Sequence, residues 1–547
     1  MGSARGINTD RRLMMLAFAA MALWFGLGAL AMKENHDESQ YVAAAALSLK
    51  GMIFRDFLSL QPPLHAWLYA PIAALFPSDM FLAMRLATAL TALATVALVY
   101  RAQRFAGVSV RLALAAAVLM AACDSFQFCA TVVRNDMLPA LFSAAGVFAA
   151  IWAQADRQPR RWAVAGLCFG LAASCKISFA PLGIAVAGFL LWNHVRPNGG
   201  GHGPRFGREA FTAYAIGSAA GLLPALVVFV IAPANFFYGV VTFAQTAPFD
   251  WYAANGLGGR LGTAAKLIDV TEHLATGPAL LAIAVVFYGL WRRGTDGAAG
   301  PRALLLWLLA SGLLGALIPT PTHQQYILPA LPPLFVLLGM ELSRIAAAPA
   351  SVRVPGRGLR GFLSGRRLPA ALGLCALVGS APLAVAMARA PARGLPAVTI
   401  SAQADWIGDR MRARRLQGDI ATLSPHRTLD SGYPLDPRFA TGPFVYRSGN
   451  LLSLGRVMSL RTATPATIEA ELAERPPAAI LVGYESRIKS FRLSPDDSLR
   501  NYAIRKGYEA VPLPDGHGTL YLRRNLPPIE TARERHQPIP AFAGRLS

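Results

Sequence analysis

Apolar runs of about twenty residues recur along most of this chain, and no other feature limits its fold so tightly. A run of that length with few charges crosses the hydrocarbon core of a bilayer as a helix, because lipid offers backbone amides no other partner. The runs fall at 13–32, 81–100, 112–129, 138–154, 163–174, 177–192, 211–232, 277–291, 303–318, 326–342 and 368–388. With 54% of 547 residues hydrophobic and only 15% charged, the composition excludes an ordinary soluble protein. The expected fold is therefore a polytopic α-helical membrane protein with about eleven transmembrane helices.

The net charge of +22 comes from 46 Arg and only 6 Lys against 30 acidic residues. Much of the Arg sits in short loops between spans: Arg101, Arg104 and Arg111; Arg157, Arg160 and Arg161; Arg196, Arg205 and Arg208; Arg292, Arg293 and Arg302; and the stretch 344–367. Arg5, Arg11 and Arg12 precede the first run, which lacks a small-residue cleavage site and reads as an uncleaved anchor. The positive-inside rule then puts the N-terminus in the cytoplasm and the C-terminal region outside. Basic charge used this way argues against a nucleic-acid partner, while the remaining excess suits anionic lipid head groups or phosphates. Arginine-rich, lysine-poor usage points to a GC-rich bacterium, hence an inner membrane with a periplasmic active site. The cysteines (Cys123, Cys129, Cys168, Cys175 and Cys375) lie in or beside apolar runs without metal or disulfide spacing, as small packing residues do.

The domain division follows: 1–390 as the membrane domain, including a first external loop at 33–80, and 391–547 as a second domain. In the latter, strand-length apolar runs at 419–423, 478–482 and 519–522 alternate with helical patterns at 401–414 and 498–506, which suggests a small α/β domain with a polar tail from Pro527. It has no glycine-rich phosphate loop and no nucleophile elbow, so support or acceptor docking is its expected role.

The chemistry concentrates where the chain leaves the first span. Glu34, His36, Asp37 and Glu38 form a dense polar cluster there. Asp37-Glu38-Ser39-Gln40 has the form of a capping box opening a helix at 41–50, and that reading explains one acidic residue. It leaves the others unexplained, so Asp37 is the leading catalytic candidate. Val42, Ala45, Ala46 and Leu49 would give this helix an apolar face, and Pro63 would begin a second in-plane helix carrying His65, Trp67 and Leu68. Between them, Arg55 and Asp56 either contact substrate or pair with each other. Arg85, Arg134 and Lys176 stand near the same membrane boundary, where charge is costly and marks a pathway or site; Arg suits bidentate phosphate binding and Lys a point-charge pair. Asp136 lies two residues beyond Arg134, and Thr322-His323-Gln324-Gln325-Tyr326 adds hydrogen-bonding side chains at a span mouth.

These residues resemble the polyprenyl-phosphate-dependent GT-C glycosyltransferases, of the protein mannosyltransferase type and the type that adds aminoarabinose or galacturonic acid to lipid A or core. The resemblance rests on Asp37-Glu38, Arg55-Asp56-Phe57, Pro62-Pro63-Leu64, Arg85, Arg134-Asn135-Asp136, Lys176 and Tyr326-Ile327-Leu328-Pro329, in that order across roughly 12–345. It implies a GT-C-like bundle with an external active site and a soluble C-terminal domain outside. It further implies an inverting transfer of sugar from a polyprenyl-phosphate donor to an envelope glycan, glycolipid or protein. Asp37 would be the general base, with Glu38 or Asp136 as the second acidic candidate. Arg134, Lys176 and Arg85 would hold donor phosphate, and Arg55, Asp56, His65, His323, Gln325 and Tyr326 would contact substrate. No cofactor is required and no metal site is expected, although a divalent metal is compatible with the reaction. The rival class is a multispan transporter or flippase of a lipid-linked sugar, which is distinguished by repeated halves and charges at midplane rather than at one boundary.

Overall fold

The computed structural model describes residues 2–156, 158–195, 206–293, 300–347, 367–449, 452–485 and 494–524. The protein is a multi-pass membrane protein. Among the described residues, seven helices are long and apolar enough to cross a bilayer, and nine if each of two bent pairs counts as one span. The bent pairs are Val110–Ala121 with Asp124–Thr131, at 68°, and Thr263–Leu274 with Gly277–Trp291, at 96°. Two further expected spans are helices of 17 residues (Pro159–Cys175) and 16 residues (Pro301–Ala316), too short to pass that test alone. Every expected run is thus helical: the seven long helices, the two bent pairs and these two short helices correspond to the eleven runs. The basic stretch 348–366, Arg157, Arg196, Arg205 and the polar tail from Pro527 lie outside the described residues.

Small residues bring the helices together. Pro159–Cys175 packs on Arg208–Ile231 so closely that a Cβ on Gly166 would come within 2.1 Å of the Tyr214 carbonyl oxygen, and one on Gly217 within 2.0 Å of that of Ala163. Between helices already in lipid, dispersion at close approach replaces the hydrophobic drive available in water. The span Gln324–Ala347 is mostly apolar and largely enclosed, with Leu331, Leu334, Phe335 and Leu338 fully buried, so it lies inside the bundle.

At one end of the bundle the loop between the first two spans folds into two helices, Glu38–Leu47 and Leu64–Leu75. The first is not an in-plane helix with one lipid face. Tyr41, Val42, Ala43, Ala44 and Ala45 are all buried, because the bundle covers one side and the C-terminal domain the other. The second leaves Leu68, Leu75 and Phe76 exposed. The segment following the Arg208–Ile231 span also stays at this end, as the helices Phe243–Ala254 and Thr263–Leu274.

After the last apolar helix, Arg367–Arg393, the chain enters the helix Pro396–Ala413 and then a four-stranded sheet. Its strands are β1 (Ile420–Thr422), β2 (Ala479–Val482), β3 (Glu509–Pro512) and β4 (Thr519–Leu522), in the order β1-β2-β4-β3. β1 and β2 are parallel; β4 runs antiparallel to both β2 and β3. Side chains alternate as a two-residue period requires. Ala421, Ile480, Val482 and Tyr521 join one core with Leu499 and Tyr502, while Ile420, Leu481, Leu520 and Leu522 join another with Ile407 and Met411. Helices therefore cover both faces.

The C-terminal domain docks through polar side chains of the first loop. Glu34 accepts from Arg427 and lies 3.0 Å from His426 Nε2, while His426 Nδ1 lies 2.9 Å from Ser39 Oγ. Asp430 accepts from the backbone N–H of Phe81 (3.3 Å) and from Ser401 (2.7 Å). Burial alone would raise the Glu34 carboxyl, but His426 and Arg427 outweigh it and hold the pKa at about 2.

Candidate active site

The turn 33–37 decides which acid faces where. Asp37 occupies the N-cap position of Glu38–Leu47, yet its backbone is already helical (φ −65°, ψ −24°) and its side chain caps nothing. The capping-box expectation is not met. Instead the Asn35 N–H donates to Glu38 Oε2 at 2.9 Å, and the Asn35 side chain accepts from the Asp37 N–H at 3.0 Å. That arrangement releases the Asp37 carboxylate for another partner.

The partner is Arg134, which donates through Nη1 to Asp37 Oδ2 and, at 2.9 Å, to Asn35 Oδ1. Its Nε donates to Asp136 Oδ2 at 2.9 Å, and Lys176 Nζ donates to Asp136 Oδ1 at 2.5 Å. Two breaks in regular structure create this chain of charges. Arg134 and Asp136 sit in the turn between Asp124–Thr131 and Met137–Asp156. Lys176 follows Pro159–Cys175 in extended conformation (φ −148°, ψ 120°), and the Asn135 amide reaches the Cys175 carbonyl (3.4 Å), tying the two breaks together. The sequence Asp37–Arg134–Asp136–Lys176 alternates in sign and sums to zero. Burial would lift the Asp37 carboxyl, but the Arg134 guanidinium and neighbouring His36 hold it at about 2, so it is ionised at neutral pH.

Three of those four groups face a cavity of about 670 Å³ at the same end of the bundle. Asp37, Arg134 and Lys176 form its inner wall beside Tyr41, Phe128 and Tyr326, and the Lys176 ammonium lies 5.1 Å from the centre of the Tyr326 ring. His323, Gln324 and Gln325 also line it. Burial lowers the His323 imidazole to about 4, so it is neutral at pH 7 and no competitor to the cations. Asp136 is fully buried behind Arg134 and Lys176 and is absent from the cavity wall, which makes it a positioning residue. Among the described residues, no group of three or more His, Cys, Asp or Glu side chains converges as a metal site.

Other expected site residues lie elsewhere. Glu38 and Arg85 are both fully buried and bound to each other at 2.6 and 2.9 Å; Glu38 also accepts from the Val133 N–H, and Arg85 donates to the carbonyls of Ala29 and Met32. Arg85 is therefore closed to donor phosphate and Glu38 to acceptor. Arg55 and Asp56 pair with each other at 2.8 Å, and Asp56 anchors the Met52 N–H at 2.7 Å. They hold their own turn, away from the cavity lining. His65 is buried and stacked on Tyr69, 4.4 Å between ring centres, behind the wall rather than in it.

Sequence reasoning missed the groups that come from far along the chain. Trp251, Tyr252, Arg260, Asp269, Glu272 and His273 come from the segment after Arg208–Ile231, and Phe444 and Arg447 from the C-terminal domain.

Comparison with known proteins bears on the architecture. ArnT from Cupriavidus metallidurans bound to undecaprenyl phosphate superposes with a TM-score of 0.58 at 16% identity, over 93% of this chain and 97% of that one. Its apo structure gives 0.56 at 16% identity, over 93% and 98%. The chain shares the fold of those two structures. Within that fold, residues 60–199 match the family model for dolichyl-phosphate-mannose-protein mannosyltransferase. That match includes Arg134, Asp136 and Lys176 and leaves Asp37 and Tyr326 outside it. No curated protein sequence matches the chain.

Proposed function

We propose that this protein is an inverting glycosyltransferase that moves a sugar from a polyprenyl-phosphate donor to a hydroxyl of an envelope glycan, glycolipid or protein. The observation that carries the reading is an ionised Asp37 facing a lipid-boundary cavity, linked through Arg134 to the Asp136–Lys176 pair. The structural likeness to ArnT bound to undecaprenyl phosphate supports that class of donor. The arginine-rich loops support a cytoplasmic N-terminus, with the cavity and the C-terminal domain on the periplasmic side of a bacterial inner membrane.

The chemistry follows from the residues. The acceptor hydroxyl attacks C1 of the sugar as the bond from C1 to the phosphate oxygen breaks, and a single displacement inverts the anomeric centre. Asp37 takes the hydroxyl proton, a role worth about 10²- to 10⁴-fold. A carboxylate held near 2 is a weak base while Arg134 grips it. Incoming donor phosphate competes for the Arg134 guanidinium, and the basicity of Asp37 rises as that grip loosens. The departing polyprenyl phosphate keeps its electron pair, and its charge is met by the unused donors of Arg134 and Lys176. Asp136 keeps both cations in place throughout.

The test is turnover of an undecaprenyl-phosphate-linked sugar by the purified protein in liposomes, with radiolabel followed both to acceptor and across the bilayer. Label moving to a glycan or protein acceptor supports transfer. Label crossing the bilayer still attached to its lipid would assign the protein to the transporter class instead.

A further inference from the structure

The cavity cation that the C-terminal domain supplies makes no direct ion pair among the described residues. Arg447 ends the short helix Pro443–Arg447 of the C-terminal domain and points into the cavity that holds Asp37. Its guanidinium lies 4.3 Å from the centre of the Trp251 ring and 4.8 Å from that of Phe444. It makes no hydrogen bond and no ion pair among the described residues. Arg134 and Lys176, by contrast, are matched by Asp37 and Asp136. Burial pulls the Arg447 pKa below the usual arginine value, against the pull of Glu485 and Asp37.

Its position is built rather than incidental. Gly442 precedes the helix with φ +56°, and a Cβ there would meet Ser39 Cβ at 3.0 Å, so the helix sits directly against the first loop. Phe444 stacks on His36, ring centres 5.3 Å apart at 28°. The residue next to Asp37 therefore fixes the ring beneath Arg447, and Trp251 from Phe243–Ala254 fixes the other side. A guanidinium held by two aromatic rings keeps its edge N–H donors for a planar or tetrahedral oxyanion, and binding one would offset the cost of burying the charge.

We propose that Arg447 is the anion-reading residue of the cavity, contributed by the C-terminal domain, and that it binds a phosphate or carboxylate carried by a substrate. The inference rests on the transferase reading of the same cavity and adds to it that one substrate presents its oxyanion to the C-terminal domain. The oxyanion has two sources: the donor's lipid phosphate, or an acidic group on the acceptor.

The experiment measures binding of undecaprenyl phosphate, of a phosphorylated glycolipid (lipid A) and of uncharged undecaprenol to the full-length protein in nanodiscs. Arg447→Ala is expected to weaken one of the two phosphorylated lipids by about 10- to 100-fold, with undecaprenol unchanged. The lipid affected identifies the source. Arg447→Lys should recover only part of the loss, because an ammonium lacks the two-donor fork, and turnover of Arg447→Ala should show a raised KM with kcat nearly unchanged. A variant folded by its melting curve that binds both phosphorylated lipids as wild type overturns the proposal, even where Asp37→Asn abolishes transfer. Label that crosses the bilayer still attached to its lipid, with none reaching an acceptor, would sink the transferase reading, while an Arg447-dependent affinity for either phosphorylated lipid would leave the anion site standing.

Discussion

Glu38 and Asp37 leave one turn in different directions, the first into the bundle and the second into the cavity. Each ends beside an arginine, and there the likeness stops. Glu38 and Arg85 are fully buried, and backbone groups from two other elements saturate the pair. Asp37 keeps 18% of its side chain exposed, and its arginine is shared with a second acid and thereby with a lysine. The closed pair fixes where the first loop sits on the bundle. The open chain has an exposed end and donors to spare. A fully buried charge pair tied to backbone groups is structure; one with a free edge on a cavity can exchange partners, and exchange is what the proposed transfer asks of it.

The comparison breaks most visibly if the closed pair is opened. Glu38→Ala strands Arg85 without counter-charge in the bundle and should cost about 3–5 kcal/mol, read as a fall in melting temperature of the detergent-solubilised protein. A melting curve like that of wild type would show that the pair holds nothing together. Lys176→Met acts on the open chain instead. It should cut sugar transfer roughly 100-fold, as loss of one charge-stabilising donor does, while the protein melts within a few degrees of wild type. A variant with full turnover would remove Lys176 from the site.

A smaller effect sharpens the contrast. Replacing both members of the closed pair, Glu38→Leu with Arg85→Met, should be far less damaging than Glu38→Ala alone, because no charge is left behind. A double variant that melts as low as the single one would show that Glu38 matters for its packing and not for its charge.

The smallest effect concerns the docked domain. Glu485 is held up to about 8 by burial and by Asp496, so the folded state keeps its proton where the unfolded chain, near 4.5, gives it up. Its contribution to stability is fully present below 4.5 and is lost as pH rises through 8. Melting temperature should fall between pH 6 and pH 9, and Glu485→Gln should flatten that slope. An unchanged slope in the variant would assign the pH dependence to other groups.

Much of this was legible in sequence because membrane proteins write their fold as apolar length and their sites as misplaced charge. Asp37, Arg134 and Lys176 stood out as charged residues at span ends on one side of the bilayer, and Tyr326 by its place at a span mouth. Asp37 and Glu38 could not be separated that way: side by side at one exit, they differ only in which way the turn points them. The capping pattern misled for the same reason, since Asn35 and Glu38 satisfy the turn by another route. Arg85 sat at the right depth, and its hydrogen bonds to the Ala29 and Met32 carbonyls turn it inward. Arg447 and Trp251 gave no signal, because docking of a domain and a loop brings them to residues hundreds of positions earlier. β3 was missed as well, a four-residue edge strand carrying Glu509 and Pro512 with little apolar pattern.

The most direct test of the central claim is the rate at which Asp37→Asn transfers sugar from undecaprenyl phosphate, set beside wild type in the same liposomes. The account predicts a variant that folds, still binds the donor lipid, and transfers at least about 100-fold more slowly. Transfer at the wild-type rate would contradict it, because no other acid in the described cavity stands beside Arg134 to take the proton.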